Sequence, residues 1–210
     1  MTNETIKGFK DYIGEEAEKR AEIRKVVVDV FEKYGFEPAE TPIIESEEFV
    51  KGDNKEDESV SDIFKLQDKG KRKLALRYEL TFPLKRIMQN KKLPYRTYRV
   101  GEVFRDEPVQ GNRVRQFTQC DVDVVGSSVT DEAETLAVIK EILDRLGIKF
   151  KIYFNNRKLL NEIINELKIK KASEVIREID KLDKLPEKQV KENLKKFGAE
   201  KVLRIIKNPK

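Results

Sequence analysis

Two runs rich in Val, Tyr, Phe and Thr, from Tyr95 to Arg105 and from Val114 to Val125, are separated only by Asp106 to Arg113. They read as paired strands, and strand geometry assigns every side chain in them to one of two faces. In the second run, Arg115, Phe117, Gln119, Asp121 and Asp123 share one side, opposed by Val114, Cys120, Val122 and Val124. One face is apolar and suits a core. The other carries Arg, an aromatic ring, an amide and two carboxylates, which are costly to bury unless paired or given a ligand. The connecting segment, with Pro108 and Gly111, exceeds the usual hairpin loop of about two to five residues. Loops of that kind are more often functional than structural.

The 210 residues are enough for one domain of ordinary size with a small appended one, and the 38% hydrophobic content supplies a core. From Glu15 to Tyr34, Ile23, Val27, Val30, Phe31 and Tyr34 recur at helical spacing, with Gly35 as the stop. Pro38 and Pro42 bracket a short extended piece suited to an edge or an interface. Lys51 to Asp62 reads as an acidic, polar loop. Phe64 and Leu66 alternate before a turn at Asp68 to Gly70, and Leu74 and Leu76 alternate after it, which predicts a β-hairpin. Thr81 before Pro83, Leu84, Ile87 and Met88 predicts a capped helix start. Thr130 is expected to cap a helix with the face Leu136, Ile139, Leu143 and Leu146, ended by Gly147. Ile148, Phe150, Ile152 and Phe154 alternate as a strand. Beyond Asn155 every signal is helical, with stripes at Leu160, Ile163, Ile164 and Leu167 and at Val175, Ile176, Ile179 and Leu182, and a further helix started by Pro186 and ended by Gly198, so the expected domains are residues 1–155 and 156–210.

Composition removes whole classes of chemistry. There is no histidine and a single cysteine, Cys120, so imidazole relays, histidine-ligated metals, internal disulfides and cysteine-rich zinc sites are excluded. No metal-ligand set is predicted. No run of about 18 apolar residues exists to span a bilayer, and Met1 to Lys10 lacks the apolar middle of a signal peptide, so a cytoplasmic protein without membrane contact is expected. The net charge of +5 is small beside 83 charged residues and only weakly favours a polyanionic partner. Arg105, Arg113 and Arg115 surround the long loop, and their planar forks match phosphate oxygens; the alternative is an ion-pair network with Asp106 and Glu107.

The same stretch carries a family resemblance. Phe104-Arg105-Asp106-Glu107, followed by a loop and Arg113-Val-Arg115-Gln116-Phe117, resembles motif 2 of class II aminoacyl-tRNA synthetases. Gln119-Cys-Asp-Val-Asp123 and Leu76-Arg-Tyr-Glu79-Leu-Thr81 are similar to the histidyl-tRNA synthetase family, in its archaeal and eukaryotic-like form. Gly8-Phe-Lys-Asp11, Glu40-Thr-Pro-Ile-Ile-Glu45 as motif 1, Asn155 to Leu160 and Arg177 to Asp183 match as well, in order and in register.

The resemblance implies an α+β fold: a class II synthetase-type antiparallel sheet flanked by helices, incomplete here, followed by a small, mainly helical insertion domain. It implies a histidine-tRNA ligase that joins L-histidine to tRNA(His) with ATP and Mg²⁺, as a homodimer through motif 1. Arg105 would hold the α-phosphate as the catalytic charge-stabilising group and meet the substrate carboxylate; Glu107 would read the adenine amino group, Phe117 stack on adenine, and Arg113 reach the outer phosphates. Glu79 and Thr81 would hold the substrate ammonium, with Gln119 and Asp123 lining the amino-acid pocket. In a regular strand Gln119 and Asp123 lie about 13 Å apart, so they would converge from opposite ends or the strand would bulge. Taken singly, Thr81 is equally an N-cap, Glu79 a first-turn acid, and Asp121 and Asp123 partners for Arg96 or Arg99.

Motif 3, the family's histidine-specific segment and an anticodon-binding domain are not found, so the chain is expected to be a fragment, a truncated product or one piece of a split enzyme, with little or no activity alone. Two other readings stand beside the ligase. One is a non-catalytic histidine-binding regulator resembling the synthetase-like subunit of ATP phosphoribosyltransferase, which needs Glu79, Thr81, Gln119 and Asp123 but not the ATP set. The other is a folded fragment that serves only as an interaction surface.

Overall fold

The structure, a computed structural model, describes residues 3–52, 62–111, 113–154, 156–183 and 185–207. Residues 53–61 of the expected acidic loop lie outside the described residues. The chain divides into two compact units, Met1–Phe150 and Lys151–Lys210.

In the first unit, α1 (Gly14–Lys33) forms where the helical spacing predicts it and buries Val27, Val30 and Phe31. The proline-bracketed piece becomes two short strands, β1 (Glu37–Pro38) and β2 (Ile44–Ser46), followed by α2 (Glu47–Lys51). β3 (Lys65–Gln67) and β4 (Lys73–Leu76) form the expected hairpin, with β2 on the far side of β4. A single helical turn, α3 (Leu84–Ile87), leads to the two long strands, β5 (Tyr95–Phe104) and β6 (Gln116–Val125).

These strands pair antiparallel without a break from Tyr95↔Val125 to Phe104↔Gln116, so β6 has no bulge. β1 adds to β5 in parallel, giving the order β1-β5-β6 and leaving Pro38 on an outer strand, where its missing N–H breaks no ladder. The apolar face of the pair, with Tyr98, Val122 and Val124, is covered by α1 and by α4 (Val129–Arg145) through Val27, Phe31 and Val138. A second cluster of Val50, Ile63, Ala75, Tyr78 and Phe82 packs under the β2-β4-β3 sheet.

Three local expectations change. Ser128, not Thr130, sits at the N-cap of α4 and exchanges contacts with Asp131, its backbone N–H donating at 2.7 Å. The buried line of α4 runs through Val138, with Ile142 beside it, while Ile139 is 41% exposed. Residues 148–154 form no strand: the alternation is present, but no neighbouring edge pairs with it, and Tyr153 and Phe154 are more than 80% exposed.

The second unit is helical: α5 (Arg157–Glu166), α6 (Ala172–Ile179), α7 (Glu187–Lys195) and α8 (Glu200–Lys207). Its core gathers Leu160, Ile164, Val175, Ile176 and Ile179 of the predicted stripes together with Val190, Leu194, Val202 and Leu203. Pro186 and Gly198 bracket α7, as the stop signals require.

Candidate functional site

Because directly opposed residues of an antiparallel pair share a face, the register places Thr97, Arg99, Gly101 and Val103 beside Asp123, Asp121, Gln119 and Phe117. This is the polar face read from the sequence. At one end, Arg105, Glu107, Arg113, Val114 and Phe117 line a cavity of about 350 Å³. Arg105 is fixed there by donating Nε to the Tyr78 carbonyl at 3.1 Å and by lying 5.1 Å from the centroid of the Phe117 ring. Glu107 and Arg113 pair at 3.1 Å. Arg113 is 76% exposed, and an ion pair so open to water contributes little, so a ligand can separate it at small cost.

Arg115 has a different place from its two neighbours. Its Nε donates to the Glu107 carbonyl and its Nη2 pairs with Asp106, both at 3.1 Å. Its backbone N–H donates to the Gly8 carbonyl at 2.8 Å. Gly8 has a φ of +90°, and a Cβ there would lie 2.7 Å from Arg115 Cγ. The Gly8-Phe9 segment thus straps the base of the long loop, with Phe9 packing on Phe64 and Phe104.

Around the edge of β6, Thr81, Gln119, Asp121 and Asp123 line a second cavity of about 520 Å³ together with Cys120, Val122 and apolar side chains of α1 and α4 such as Phe31 and Ile142, which belong to the opposite face. Thr81 does not cap α3, whose N-cap position is Pro83 and which has no side-chain cap; Glu79 Oε1 accepts from the Phe82 N–H, just ahead of the helix, at 2.8 Å. Gln119 turns along the strand and donates Nε2 to Asp121 at 2.9 Å. Asp123 pairs with Arg99, whereas Arg96 lies on the opposite face and pairs with Asp131 and Glu134. The structure therefore gathers Thr81, Gln119 and Asp123 at one cavity, and Arg105, Glu107, Arg113 and Phe117 at the other. Glu79 lines neither and lies close enough to feel Asp121, Asp123 and Arg105.

Burial pushes the Glu79 and Asp121 carboxyls above the usual range; the charges of Asp121 and Asp123 add to the rise at Glu79 and that of Asp123 to the rise at Asp121, while the Arg105 guanidinium opposes both. Three carboxylates packed this closely favour a cationic ligand or a hydrogen-bond donor. Two buried arginines escaped sequence reasoning as working parts. Arg77 donates to the carbonyls of Glu102 and Thr41 at 2.8 Å, tying the proline-bracketed piece to β5. Arg99, 2% exposed, lies beneath the acidic end. Face parity contains the signal for Arg99; nothing in the sequence marks Arg77.

Comparison with known proteins decides the family. The profile of the histidyl-tRNA synthetase family matches residues 8–206. The chain belongs to the histidyl-tRNA synthetase family. Histidine–tRNA ligase 1 of Bacillus cereus is 42% identical over 194 residues, 88% of this chain and 45% of that protein. Histidine–tRNA ligase of Wolinella succinogenes is 41% identical over 206 residues, 94% and 46% of the two chains. The solved histidyl-tRNA synthetase of Nostoc sp. PCC 7120 superposes with a TM-score of 0.82 at 31% identity, over 99% of this chain and 48% of that one. An ATP phosphoribosyltransferase regulatory subunit/histidyl-tRNA synthetase from Bacillus halodurans shares the fold, with a TM-score of 0.76 at 22% identity. The chain thus spans about half the length of the curated relatives it matches. These matches fit an α+β, class II synthetase-type fold.

Proposed function

We propose that this chain carries the ATP and amino-acid subsites of a histidine-tRNA ligase, in which L-histidine and ATP form histidyl-adenylate and the histidyl group then passes to the 3′ end of tRNA(His). The observation that supports this reading is the ordering of two subsites along one strand face. Arg105, Glu107 and Phe117 line the cavity suited to adenine and phosphate at one end, and Gln119, Asp121 and Asp123 follow along β6 toward the other.

In this reading a histidine carboxylate oxygen attacks the α-phosphorus of ATP and pyrophosphate leaves. Arg105 stabilises the charge that develops on the phosphoryl oxygens, held in place beforehand by Tyr78 and Phe117. Arg113, released from Glu107, meets the outer phosphates, and Glu107 turns to the adenine amino group. Glu79 and Thr81 take the ammonium, while Gln119 and Asp123 read the imidazole from opposite ends of the pocket, since β6 runs straight between them. Mg²⁺ accompanying ATP would neutralise part of the phosphate charge, alongside the guanidinium groups of Arg105 and Arg113.

The expected division at 155/156, with a catalytic core and a helical insertion domain, lies near the boundary of the two compact units. Residues 151–210 hold 17 Lys or Arg against nine Asp or Glu, which suits a tRNA partner. Half-exposed Ile43 and Ile44, in the motif 1 segment, suit the expected homodimer contact. Such an enzyme works in the cytoplasm. No helix among the described residues is long and apolar enough to cross a membrane. Calorimetric titration of the chain with ATP and with L-histidine tests the reading: binding of both supports the ligase, histidine without ATP supports the regulator, and neither refutes both.

A further inference from the structure

Among the described residues Arg99 is the largest fully buried side chain, 2% exposed, and it is charged. It sits on the polar face of β5, directly across from Asp121 and diagonal to Asp123, whose carboxylate accepts from its Nη2. Its Nε and Nη1 have no hydrogen-bond partner, and neither does the buried Oε1 of Gln119 on the neighbouring strand. A buried guanidinium with two unsatisfied nitrogens is a poor stabilising device. Replacing buried ion pairs by apolar residues of similar volume is commonly neutral or stabilising, and each unmet buried donor is a cost. Fold stability alone gives no reason for an arginine at this position, so its effect on its partner is where to look.

We propose that Arg99 is a positioning residue for substrate recognition: it fixes one oxygen of Asp123 from below, leaving the other oxygen aimed into the pocket as the acceptor for an imidazole N–H. This rests on the reading of Asp123 as part of a histidine pocket. Arg99 makes no direct contact with the ligand, because its side chain is 2% exposed, whereas that of Asp123 is 28% exposed and lines the cavity. The geometry also explains how three carboxylates coexist here. Glu79, Asp121 and Asp123 lie close together, on the segment after β4 and on β6, and among the described residues the cations that oppose them are Arg99 on β5 and Arg105 just past its end. Arg99 opposes the upward push on Asp121, so its loss would leave the acidic end holding a proton at higher pH.

The test uses the 210-residue chain and its variants R99M, R99K, D123N and R99M/D123N, with histidine affinity measured by calorimetry across a pH series and folding by urea unfolding. R99M keeps the volume and removes the charge. In a chain that still unfolds cooperatively in urea, histidine affinity is expected to fall about 10–100-fold, the scale on which outer partners of ligand-binding groups act in metal sites. Adding D123N to R99M is expected to cost nothing more, because the two residues act as one unit. R99K, which keeps a cation with a different reach, is expected to restore part of the affinity and part of the wild-type pH profile. If R99M does not fold, R99K carries the comparison alone. A folded R99M or R99K with wild-type affinity and pH profile overturns the inference, as do losses that add independently with D123N. A wild-type chain that binds ATP but no histidine overturns the histidine pocket, and the inference with it.

Discussion

The strap across the base of the long loop makes a quantitative prediction that separates packing from backbone strain. Gly8 and Gly14 both have positive φ, +90° and +56°, so alanine at either position incurs the left-handed penalty of about 1–2 kcal/mol. Only at Gly8 does a Cβ meet anything, lying 2.7, 2.9 and 3.0 Å from the Cγ, Cδ and Cβ of Arg115; at Gly14 there is nothing within 4 Å. Arg115 must therefore shift in Gly8→Ala and not in Gly14→Ala. The shift endangers the bond from its Nε to the Glu107 carbonyl, of a charged-donor type worth about 1.5–3 kcal/mol. The pair with half-exposed Asp106 adds little. Gly14→Ala should destabilise by about 1–2 kcal/mol and Gly8→Ala by about 2.5–5 kcal/mol. Urea unfolding followed by tyrosine fluorescence measures both, because five of the six tyrosines lie in Met1–Phe150. Gly8→Ala should also weaken ATP binding, since Glu107 loses its support, while Gly14→Ala should not. Equal destabilisation by the two substitutions, within about 0.5 kcal/mol, would refute the strap.

Three further outcomes are expected. Phe117→Ala removes both the ring proposed to stack on adenine and the packing under Arg105, so ATP affinity should drop about tenfold, as a loss of about 1.4 kcal/mol requires, with histidine affinity unchanged by calorimetry. Glu141 is held at about 2 by Lys33, with Tyr34 and Arg145 adding hydrogen bonds. Its contribution is complete above its unfolded value of 4.5 and is lost as pH falls through about 2. Glu141→Gln should flatten the acid limb of the urea midpoint over that window. Asp121 shows the opposite sign. Burial raises it, so the folded chain is penalised above the unfolded value of 3.8. Asp121→Asn should raise the urea midpoint at neutral pH, with no gain well below that value.

How far the site could be read in advance turns on register. Alternation alone sorts Arg115, Phe117, Gln119, Asp121 and Asp123 onto one face, and the structure keeps them there. Helix stripes in residues 157–207 were equally legible, because each apolar position packs against a neighbour in the same unit. The strand expected at Ile148 to Phe154 shows the limit of that logic: alternation states a preference, and a ladder also needs a partner edge. The same limit hides Arg99. Whether Asp123 meets Arg96 or Arg99 depends on which residues of β5 stand opposite it, and the long loop between the strands leaves that register unspecified in the sequence. Pairing Phe104 with Gln116 puts Arg99 on the face of Asp123 and Arg96 on the other. A slip of one residue would exchange them, carrying the pocket's carboxylates onto the face that covers Val27, Phe31 and Val138. The Gly8 carbonyl, which accepts from the Arg115 and Gln116 N–H groups at the foot of β6, fixes that register from a point more than a hundred residues earlier in the chain. The strap and the buried arginine are thus linked: loosening the first is expected to disorder the alignment on which the second depends.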